Sequence, residues 1–254
     1  MTRTSAIALL TDFGTRDPYV AAMKGVIASR TSVPLHDLTH EIAPFDVLGA
    51  AWFLGTAYRY WPEGTIFVCI VDPGVGTKRR ILALEQEGRM FLAPDNGLLT
   101  FVRNGGTIVA VENASLFLPG GSNTFHGRDR FAPVAAALAN GLPLRDLGSE
   151  VPAMNALPYE RPSYGDVVHG TVVAVDRFGN VITDVEVARI PFSPFVLHVR
   201  DLTLDRLEEN YGDAAPGPFL IAGSSGCIEI SIANASAAER LQLRRLERVE
   251  LRPL

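Results

Sequence analysis

The sequence predicts an α/β fold in two domains: an N-terminal α/β domain with a mostly parallel central sheet, and a small C-terminal β-barrel. In the first part of the chain, strand-like apolar runs alternate with helix-like segments, whereas the last part holds short strand patterns and few helical ones. Between the two, residues 151–166 contain three prolines, two tyrosines and little periodicity, which is typical of a linker. We therefore expect domains over residues 1–160 and 166–254.

The first domain opens with a strand, a helix and a second strand. Residues 6–11 are a short apolar run that ends at a polar cluster, which predicts the first strand. Asp17 and Pro18 suit the N-cap and the first position of a helix, and apolar residues continue at helical spacing over 19–29. The segment 34–38 then predicts the second strand.

The central strand and a hairpin follow. A helical pattern over residues 45–60 precedes the run 65–71, which is rich in β-branched residues and apolar on both faces. Such a run predicts a central strand that is covered on both faces. The apolar segments 81–84 and 90–92 are joined by a short polar link and predict a hairpin. A last helix is predicted over 129–140.

The second domain is predicted from strand patterns alone. Several short strands that close a small sheet favour a compact β-barrel or sandwich. The predicted strands are 167–175, 180–185, 194–199, 219–222, 227–232 and 248–251.

Composition and charge exclude several classes of protein. The 254 residues are 47% hydrophobic, and 23 Lys and Arg stand against 28 Asp and Glu, for a formal charge of −5. The apolar fraction excludes a disordered chain, and the absence of basic tracts argues against a nucleic-acid partner. No apolar run approaches the roughly 18 residues that a membrane span needs, so no membrane partner is expected either.

The cysteines and the N-terminus bear on the compartment. Cys69 and Cys227 both lie in apolar runs, so we expect buried free thiols and no disulfide framework. Residues 1–5 lead directly into a strand pattern without the architecture of a signal peptide. We therefore expect a soluble cytoplasmic protein.

Polar clusters directly after apolar strands are the candidate site residues, because ligands of open α/β sheets bind beyond the carboxyl ends of strands. Asp12 follows the first strand and could accept hydrogen bonds from a vicinal diol such as a ribose; a turn or capping aspartate is the alternative. Asp72 follows the central strand. Arg79, seven residues later, could fold back to pair with it, and a surface ion pair is the alternative.

Histidines provide further candidates. His126 precedes a predicted helix in a glycine-containing polar segment and could exchange protons near neutral pH; a helix-capping role is the alternative. His36 and His40 are spaced like a metal-binding pair. However, they lie in a strand-like segment without the His-Glu-x-x-His order, so we expect no metal site.

Three polar features of the second domain have two interpretations each, a role in ligand binding and a purely structural role. The segments 176–180 and 223–226 read by default as hairpin turns. Glu229 lies within an otherwise apolar strand, where it either points to solvent or serves a buried function.

Seven motifs, read in chain order, resemble those of a known family. They are TDFGTRDPY, HDLTHEIAPFDV, VDPGVGTKRR, APDNGLLT, FHGRD, DRFGNVITD and GSSGCIEISIAN. Together they resemble the S-adenosyl-L-methionine (SAM) hydroxide adenosyltransferases, or adenosine-forming SAM hydrolases, which are relatives of the SAM-dependent fluorinase and chlorinase. The resemblance spans nearly the full chain. It implies an α/β domain, a β-barrel and a homotrimer in which SAM sits between one subunit's N-terminal domain and its neighbour's barrel.

The resemblance also implies roles for individual residues. The catalytic triad of the family falls on Asp72, Arg79 and His126. The sugar-contacting positions fall on Asp12 and Phe45. SAM is then a substrate, with adenosine and L-methionine as products, and no cofactor is expected. The positions that contact adenine and methionine fall on Asp176, Phe178, Asn180, Ser224 and Glu229.

Two positions favour a hydrolase over a halogenase. The halogenating relatives carry an aromatic residue where this chain has Asp72, and fluorinases carry Ser where it has Gly127. A carboxylate repels a halide, whereas it can hold or deprotonate a water molecule. We therefore expect hydrolysis of SAM by attack on the ribose 5′ carbon. A SAM-dependent halogenase and a non-catalytic SAM- or adenosine-binding regulator are the alternatives.

Overall fold

The computed structural model describes residues 4–254. Residues 1–3 therefore lie outside the described part. They belong to the segment 1–5, in which we expect no signal peptide. The chain divides into two compact units, Met1–Leu157 and Pro158–Leu254, and each unit is described by itself. Within residues 4–254, no helix combines the length and the apolar character needed to cross a membrane.

The N-terminal unit alternates strands and helices. Its strands are β1 (Ala6–Thr11), β2 (Leu35–Thr39), β3 (Thr65–Ile70), β4 (Ile81–Gln86), β5 (Arg89–Pro94) and β6 (Thr107–Ala110). Its α-helices are α1 (Tyr19–Ala28), α2 (Val47–Ala57) and α3 (Ala132–Ala139). A π-helix, Gly127–Phe131, leads directly into α3. The short 3-10 helices of the unit are Tyr58–Tyr60, Ala114–Leu116 and Leu144–Leu147.

The six strands form one sheet in the order β2-β1-β3-β5-β4-β6. β1 pairs in parallel with β2 and β3, and β3 pairs in parallel with β5. β4 runs antiparallel to both β5 and β6, so the predicted hairpin is confirmed. Because β1, β3 and β5 point the same way, their carboxyl ends meet at one edge of the sheet.

The core covers both faces of this sheet. On β3, Ile66 and Val68 pack into one buried cluster, and Phe67 and Cys69 pack into the other. All six residues of β3 are buried, as the apolar run predicts. The Phe67 ring stacks on Phe91 of β5, with centroids 4.9 Å apart.

Helix boundaries differ from the prediction at two places. Pro18 occupies the cap position of α1 without a side-chain cap bond, so Asp17 is not the N-cap that we expected. The helix expected from residue 45 starts instead at Val47, because the Asp46 side chain accepts the Gly49 N–H at 2.9 Å and Phe45 has a φ of +67°. Strand β6 is a further element that the apolar patterns did not predict.

The C-terminal unit is a curled sheet. Its strands are β7 (Ser163–Tyr164), β8 (Val168–Val175), β9 (Val181–Glu186), β10 (Phe195–Val199), β11 (Leu202–Leu204), β12 (Leu207–Glu208), β13 (Pro218–Ala222), β14 (Cys227–Ile232) and β15 (Arg248–Pro253). Helix α4 (Ala237–Leu241) and a 3-10 turn (Val187–Arg189) complete the unit.

Eight of these strands follow the order β11-β10-β15-β8-β9-β14-β13-β12, and β7 pairs with β8. In the described chain, β11 and β12 end this order without pairing to each other, so the sheet is curled into a half-barrel. The core of the unit is one cluster of buried apolar residues. Cys69 and Cys227 are both free and buried, as predicted.

Truncating Phe91 should destabilise the N-terminal unit. Phe91→Ala removes a fully buried ring from the stack with Phe67, so the free energy of unfolding should fall by about 3–5 kcal/mol. Urea unfolding followed by tryptophan fluorescence measures this unit, because Trp52 and Trp61 are the two tryptophans of the chain.

The control is Tyr60→Ala, because Tyr60 is 84% exposed. This change should alter the free energy of unfolding by less than about 0.5 kcal/mol. A loss of equal size in both variants would contradict the assignment of Phe91 to the core.

Candidate active site

A pocket of about 460 Å³ lies in the N-terminal unit, where β1 and β3 end. This volume falls within the range of small-molecule sites. Four residues singled out from the sequence line it together, although they lie far apart along the chain. The lining residues are Asp12, Phe13, Tyr19, Pro44, Phe45, Ile70, Asp72, Val75, Thr124, Phe125, His126 and Gly127.

Asp72 and Arg79 form a buried ion pair in the pocket wall. The Arg79 Nε atom lies 2.8 Å from both carboxylate oxygens of Asp72, and Arg79 Nη2 donates a further bond to Oδ2. The Asp72 side chain is 5% exposed and the Arg79 side chain 10%. The pair is therefore not the surface ion pair that the sequence left open. It joins the two ends of the loop that follows β3 to each other.

Arg79 also bonds His126. Its Nη2 atom lies 2.9 Å from Nδ1 of the imidazole. Because a guanidinium can only donate, Nδ1 is the acceptor, and a neutral ring then carries its proton on Nε2. Nε2 of His126 and Nη1 of Arg79 are buried and have no hydrogen-bond partner within residues 4–254. Both atoms are thus N–H donors that a bound oxygen can satisfy.

His126 is held in its neutral form. Burial lowers the pKa of His126 to about 4, and the positive charges of Arg130 and Arg79 act in the same direction. The carboxylates of Asp72 and Asp129 oppose the shift without reversing it. The imidazole therefore acts near neutral pH as a hydrogen-bond donor and acceptor, and not as a cation.

Asp12 is hydrogen-bonded to the backbone of a strained residue, Phe45. Its Oδ2 atom accepts the backbone N–H of Phe45 at 2.9 Å, a contact between residues 33 positions apart. This long-range bond differs from the local turn that was the alternative for Asp12. Phe45 itself is 71% exposed and has left-handed backbone geometry, which is uncommon for a bulky residue and concentrates at functional sites.

Asp129, within the π-helix Gly127–Phe131, bonds the loop that precedes this helix. This buried carboxylate accepts the Ser122 N–H at 2.6 Å and two bonds from the Arg128 guanidinium. The Arg128 hydrogen bond, together with the Ser122 N–H, lowers the pKa of Asp129 despite its burial. Asp129 thereby ties the loop before Phe125 to the helix after His126, so that the imidazole is held from both sides.

His36 and His40, where we expect no metal site, have different surroundings. His36 is exposed and contacts the Trp61 ring edge-on. His40 is buried, with Nδ1 2.8 Å from the Thr11 hydroxyl and Nε2 3.0 Å from Asp37. The His40 carbonyl accepts the Gly14 N–H, so this residue supports the turn that carries Asp12.

In the C-terminal unit, Asp176 closes the β8–β9 turn. Its Oδ1 accepts the N–H groups of Phe178 and Asn180, and its Oδ2 accepts the Asn180 side-chain amide at 2.8 Å. The segment is thus a hairpin turn, the default interpretation, and it leaves the Phe178 ring 78% exposed. Ser224 lies in the β13–β14 turn, which is closed by a bond from the Gly223 N–H to the Cys227 carbonyl.

Glu229 is buried and does not point to solvent. It accepts the Tyr211 hydroxyl at 2.8 Å. Burial raises the pKa of Glu229, and the nearby charge of Asp176 adds to the shift. Burial and the Glu229 carboxylate also raise the pKa of Tyr211 to about 12. Every hydrogen-bond partner described for Asp176 and Glu229 is neutral, so this end of the unit carries negative charge that suits a cationic ligand.

Comparison with known proteins identifies the family. Residues 7–148 match the SAM hydroxide adenosyltransferase N-terminal domain, and residues 170–250 match the SAM hydroxide adenosyltransferase C-terminal domain. The chain belongs to the SAM hydroxide adenosyltransferase family. The resemblance carried by the seven motifs is thereby confirmed.

Individual relatives support the same assignment. A protein of Thermus thermophilus named (R)-S-adenosyl-L-methionine hydrolase is 40% identical, over 94% of this chain and 96% of its own length. A fluorinase of Actinoplanes sp. is 31% identical, over 70% of this chain and 71% of its own. The crystal structure of an uncharacterized conserved protein from Thermotoga maritima superposes with a TM-score of 0.87 at 34% identity, covering 97% of this chain and 99% of that one.

The family motifs contain pocket residues that reasoning from single positions missed. The rings of Phe13, Tyr19 and Phe125 form a triangle with centroid distances of 5.1 to 6.1 Å and line one side of the pocket. All three belong to the motifs TDFGTRDPY and FHGRD. The aromatic residues of those motifs were the available signal, but nothing local distinguishes them from core residues.

The neutral His126 should make stability depend on pH. Between its ordinary pKa of 6.5 and the folded value of about 4, the unfolded chain binds a proton that the folded protein does not. The free energy of unfolding should therefore increase as the pH rises from about 4 to 6.5, and decrease as the pH falls through the same interval. His126→Asn should flatten that rise, as measured by urea unfolding at several pH values across the interval.

The exposed histidine of β2 provides the matched control. His36→Asn should keep the slope of the wild-type protein. If His126→Asn also keeps that slope, the imidazole is not held neutral by its burial.

Proposed function

We propose that the protein hydrolyses SAM to adenosine and L-methionine by attack of water or hydroxide on the ribose 5′ carbon. The observation that carries the proposal is the Asp72 carboxylate in the pocket wall, bonded through Arg79 to His126. The relative named (R)-S-adenosyl-L-methionine hydrolase, 40% identical over nearly the full chain, supports the same activity.

The reaction needs a positioned nucleophile more than an acid. The oxygen–carbon bond forms at C5′ while the carbon–sulfur bond breaks, and its electron pair goes to sulfur. Methionine leaves as a neutral thioether, so the leaving group needs no proton, and the water proton is released. Alignment of the nucleophile with the breaking bond supplies much of the rate. No cofactor is required, because the sulfonium is already an activated leaving group.

The three triad side chains then divide the work. Asp72 accepts the proton of the water, because it is the acceptor of the group and keeps lone pairs beyond those that Arg79 uses. Arg79 holds that carboxylate in place. His126 is neutral and offers its Nε2–H to the nucleophilic oxygen, while Arg79 Nη1–H offers a second donor.

The remaining candidate residues bind the substrate. Oδ2 of Asp12 accepts a hydrogen bond from the Phe45 N–H, and the remaining lone pairs of the carboxylate accept bonds from the ribose hydroxyls. The exposed Phe45 ring lies beside the sugar. In the C-terminal unit, the uncompensated charges of Asp176 and Glu229 suit the methionine ammonium and the sulfonium. Adenine and the rest of methionine contact Phe178, Asn180 and Ser224.

The division of labour between the two domains is part of the proposal. Residues 1–160 carry the triad, and residues 166–254, a small β-barrel of which the curled sheet is the wall, bind adenine and methionine. We propose a homotrimer in which each N-terminal domain shares its site with a neighbour's C-terminal domain, as the family resemblance implies. A cytoplasmic location is expected, because Cys69 and Cys227 are both free and buried.

The Asp72 carboxylate also favours hydrolysis over the alternatives. A water molecule can donate a hydrogen bond to the carboxylate oxygens of Asp72, whereas these oxygens offer no donor to a halide, which disfavours a SAM-dependent halogenase. A SAM- or adenosine-binding regulator would not require a buried Asp-Arg-His network beside its ligand. Neither alternative has an observation of its own in its favour.

Product analysis tests the function. Purified protein incubated with SAM, with and without chloride or fluoride, should yield adenosine and methionine in all cases by mass spectrometry. Asp72→Asn should lower kcat at least about 100-fold, because it removes the proton acceptor.

The control is Asp146→Asn, because Asp146 is half exposed and lies in a surface pair with Arg145. This variant should keep wild-type turnover. A halogenated nucleoside or unchanged SAM from the wild-type protein would reject the proposal, and a fully active Asp72→Asn variant would reject the role of Asp72.

The shared site predicts that activity depends on assembly. Specific activity should fall on dilution in step with the fraction of trimer, because a lone subunit holds only half of each site. Analytical ultracentrifugation and SAM turnover, measured over one dilution series, check this. Full activity of a proven monomer would contradict the shared site.

A further inference from the structure

The loop that carries the Asp72–Arg79 pair crosses the end of another strand. Residues 71–80 leave β3 on one side of β5 and enter β4 on its other side, because the sheet order is β3-β5-β4. Pro94, the last residue of β5, is opposite Ile81 at the start of β4. The two residues after β5, Asp95 and Asn96, therefore lie directly beneath the loop. They belong to the APDNGLLT motif, to which no role has been assigned.

Asn96 holds the first end of the loop. Its Nδ2 donates to the Val71 carbonyl at 2.8 Å, one residue before Asp72. Its Oδ1 accepts the Leu98 N–H at 3.3 Å, which orients the amide. The position of the Asp72 backbone is therefore tied to the turn after β5.

Asp95 holds the second end. Its Oδ2 accepts bonds from Arg80 Nε at 2.8 Å and Nη2 at 2.6 Å, and its N–H donates to the Arg80 carbonyl at 3.0 Å. Arg80 directly follows Arg79. The other oxygen, Oδ1, accepts the Asn155 N–H at 2.7 Å. The Asp95 side chain is 3% exposed, so the carboxylate that accepts these bonds is buried, although the Arg80 side chain is 41% exposed.

We infer that Asp95 and Asn96 are positioning residues, which clamp the two ends of the loop so that Asp72 and Arg79 stay paired in the pocket wall. The inference rests on the proposed function, in which this pair organises the nucleophile. Between the clamped ends, the loop is mostly exposed and is held by a few bonds of its own, such as Thr77 Oγ1 to the Gly74 carbonyl at 2.7 Å. Such a loop needs an external anchor to fix its ends.

The clamp acts on one side of the pocket only. Asp12 and Phe45, the proposed sugar contacts, are held by other bonds and touch neither Asp95 nor Asn96 through any described hydrogen bond. Loss of the clamp should therefore misplace the groups that act on the nucleophile and leave nucleoside binding intact. A KM-against-kcat split distinguishes this role from a general structural one.

Asn96→Ala tests the inference. It should lower kcat for SAM hydrolysis about 10-fold or more, because small displacements of reacting groups carry large rate losses, while the Kd for adenosine by titration calorimetry stays within about 3-fold. The wild-type protein is measured alongside.

Asn113→Ala is the matched control. Asn113 makes the same two kinds of contact, from Nδ2 to the Asp146 carbonyl and from the Ser115 N–H to Oδ1, but it lies outside the pocket lining. It should show a similar change in melting temperature and a kcat within about 3-fold of wild type.

The outcomes separate this inference from the function on which it rests. If the wild-type protein does not turn SAM over, the proposed function fails and the inference falls with it. If the wild type is active and Asn96→Ala keeps its kcat, or loses kcat and adenosine binding equally, only the inference is overturned. If Asn96→Ala does not fold, Asp95→Asn is judged by the same criteria, since it keeps the side-chain shape and weakens the hold on Arg80.

Discussion

The parallel pairing of β1, β3 and β5 is the constraint on which the site depends. In-register pairing from Ala6 with Thr65 to Thr11 with Ile70 makes β1 and β3 end side by side. Asp12 and Asp72 are the first polar residues beyond those ends, so the register decides that two carboxylates line one pocket. All six residues of β3 are buried, so a slip of this register is costly because it would disrupt the packing on both faces of the sheet.

Charge is distributed differently in the two units. In the N-terminal unit the Arg79 guanidinium pairs with Asp72, and burial together with the charges of Arg130 and Arg79 keeps His126 neutral, so these three side chains are close to neutral overall. In the C-terminal unit Asp176 and Glu229 bond only neutral groups in the described contacts, and the burial of Glu229 raises its pKa. This difference in charge fits the proposed hydrolysis, in which water attacks a cationic substrate.

Much of the fold could be predicted because strand periodicity is a local signal. The runs at Ala6–Thr11 and Cys227–Ile232 match the observed strands β1 and β14 at both ends. Strand β6 was not predicted, because it has four residues and so short an apolar run shows no distinctive periodicity. The π-helix before α3 and the left-handed Phe45 are accompanied by bonds between residues that are not sequence neighbours, from the Ser122 N–H to Asp129 and from the Phe45 N–H to Asp12. Local propensity cannot encode either of them.

The sequence by itself determined which side chains have chemistry to offer. Asp12 and Asp72 follow apolar strands, Arg79 and His126 lie in polar segments, and the motifs of all four place the chain in its family. Only the tertiary structure decided the state of those groups: that the Asp72–Arg79 pair is buried, that His126 accepts from Arg79 and stays neutral, and that Glu229 turns inward. The physical reason is that ionisation and hydrogen bonding depend on burial and on partners distant in the chain, which local sequence patterns do not contain.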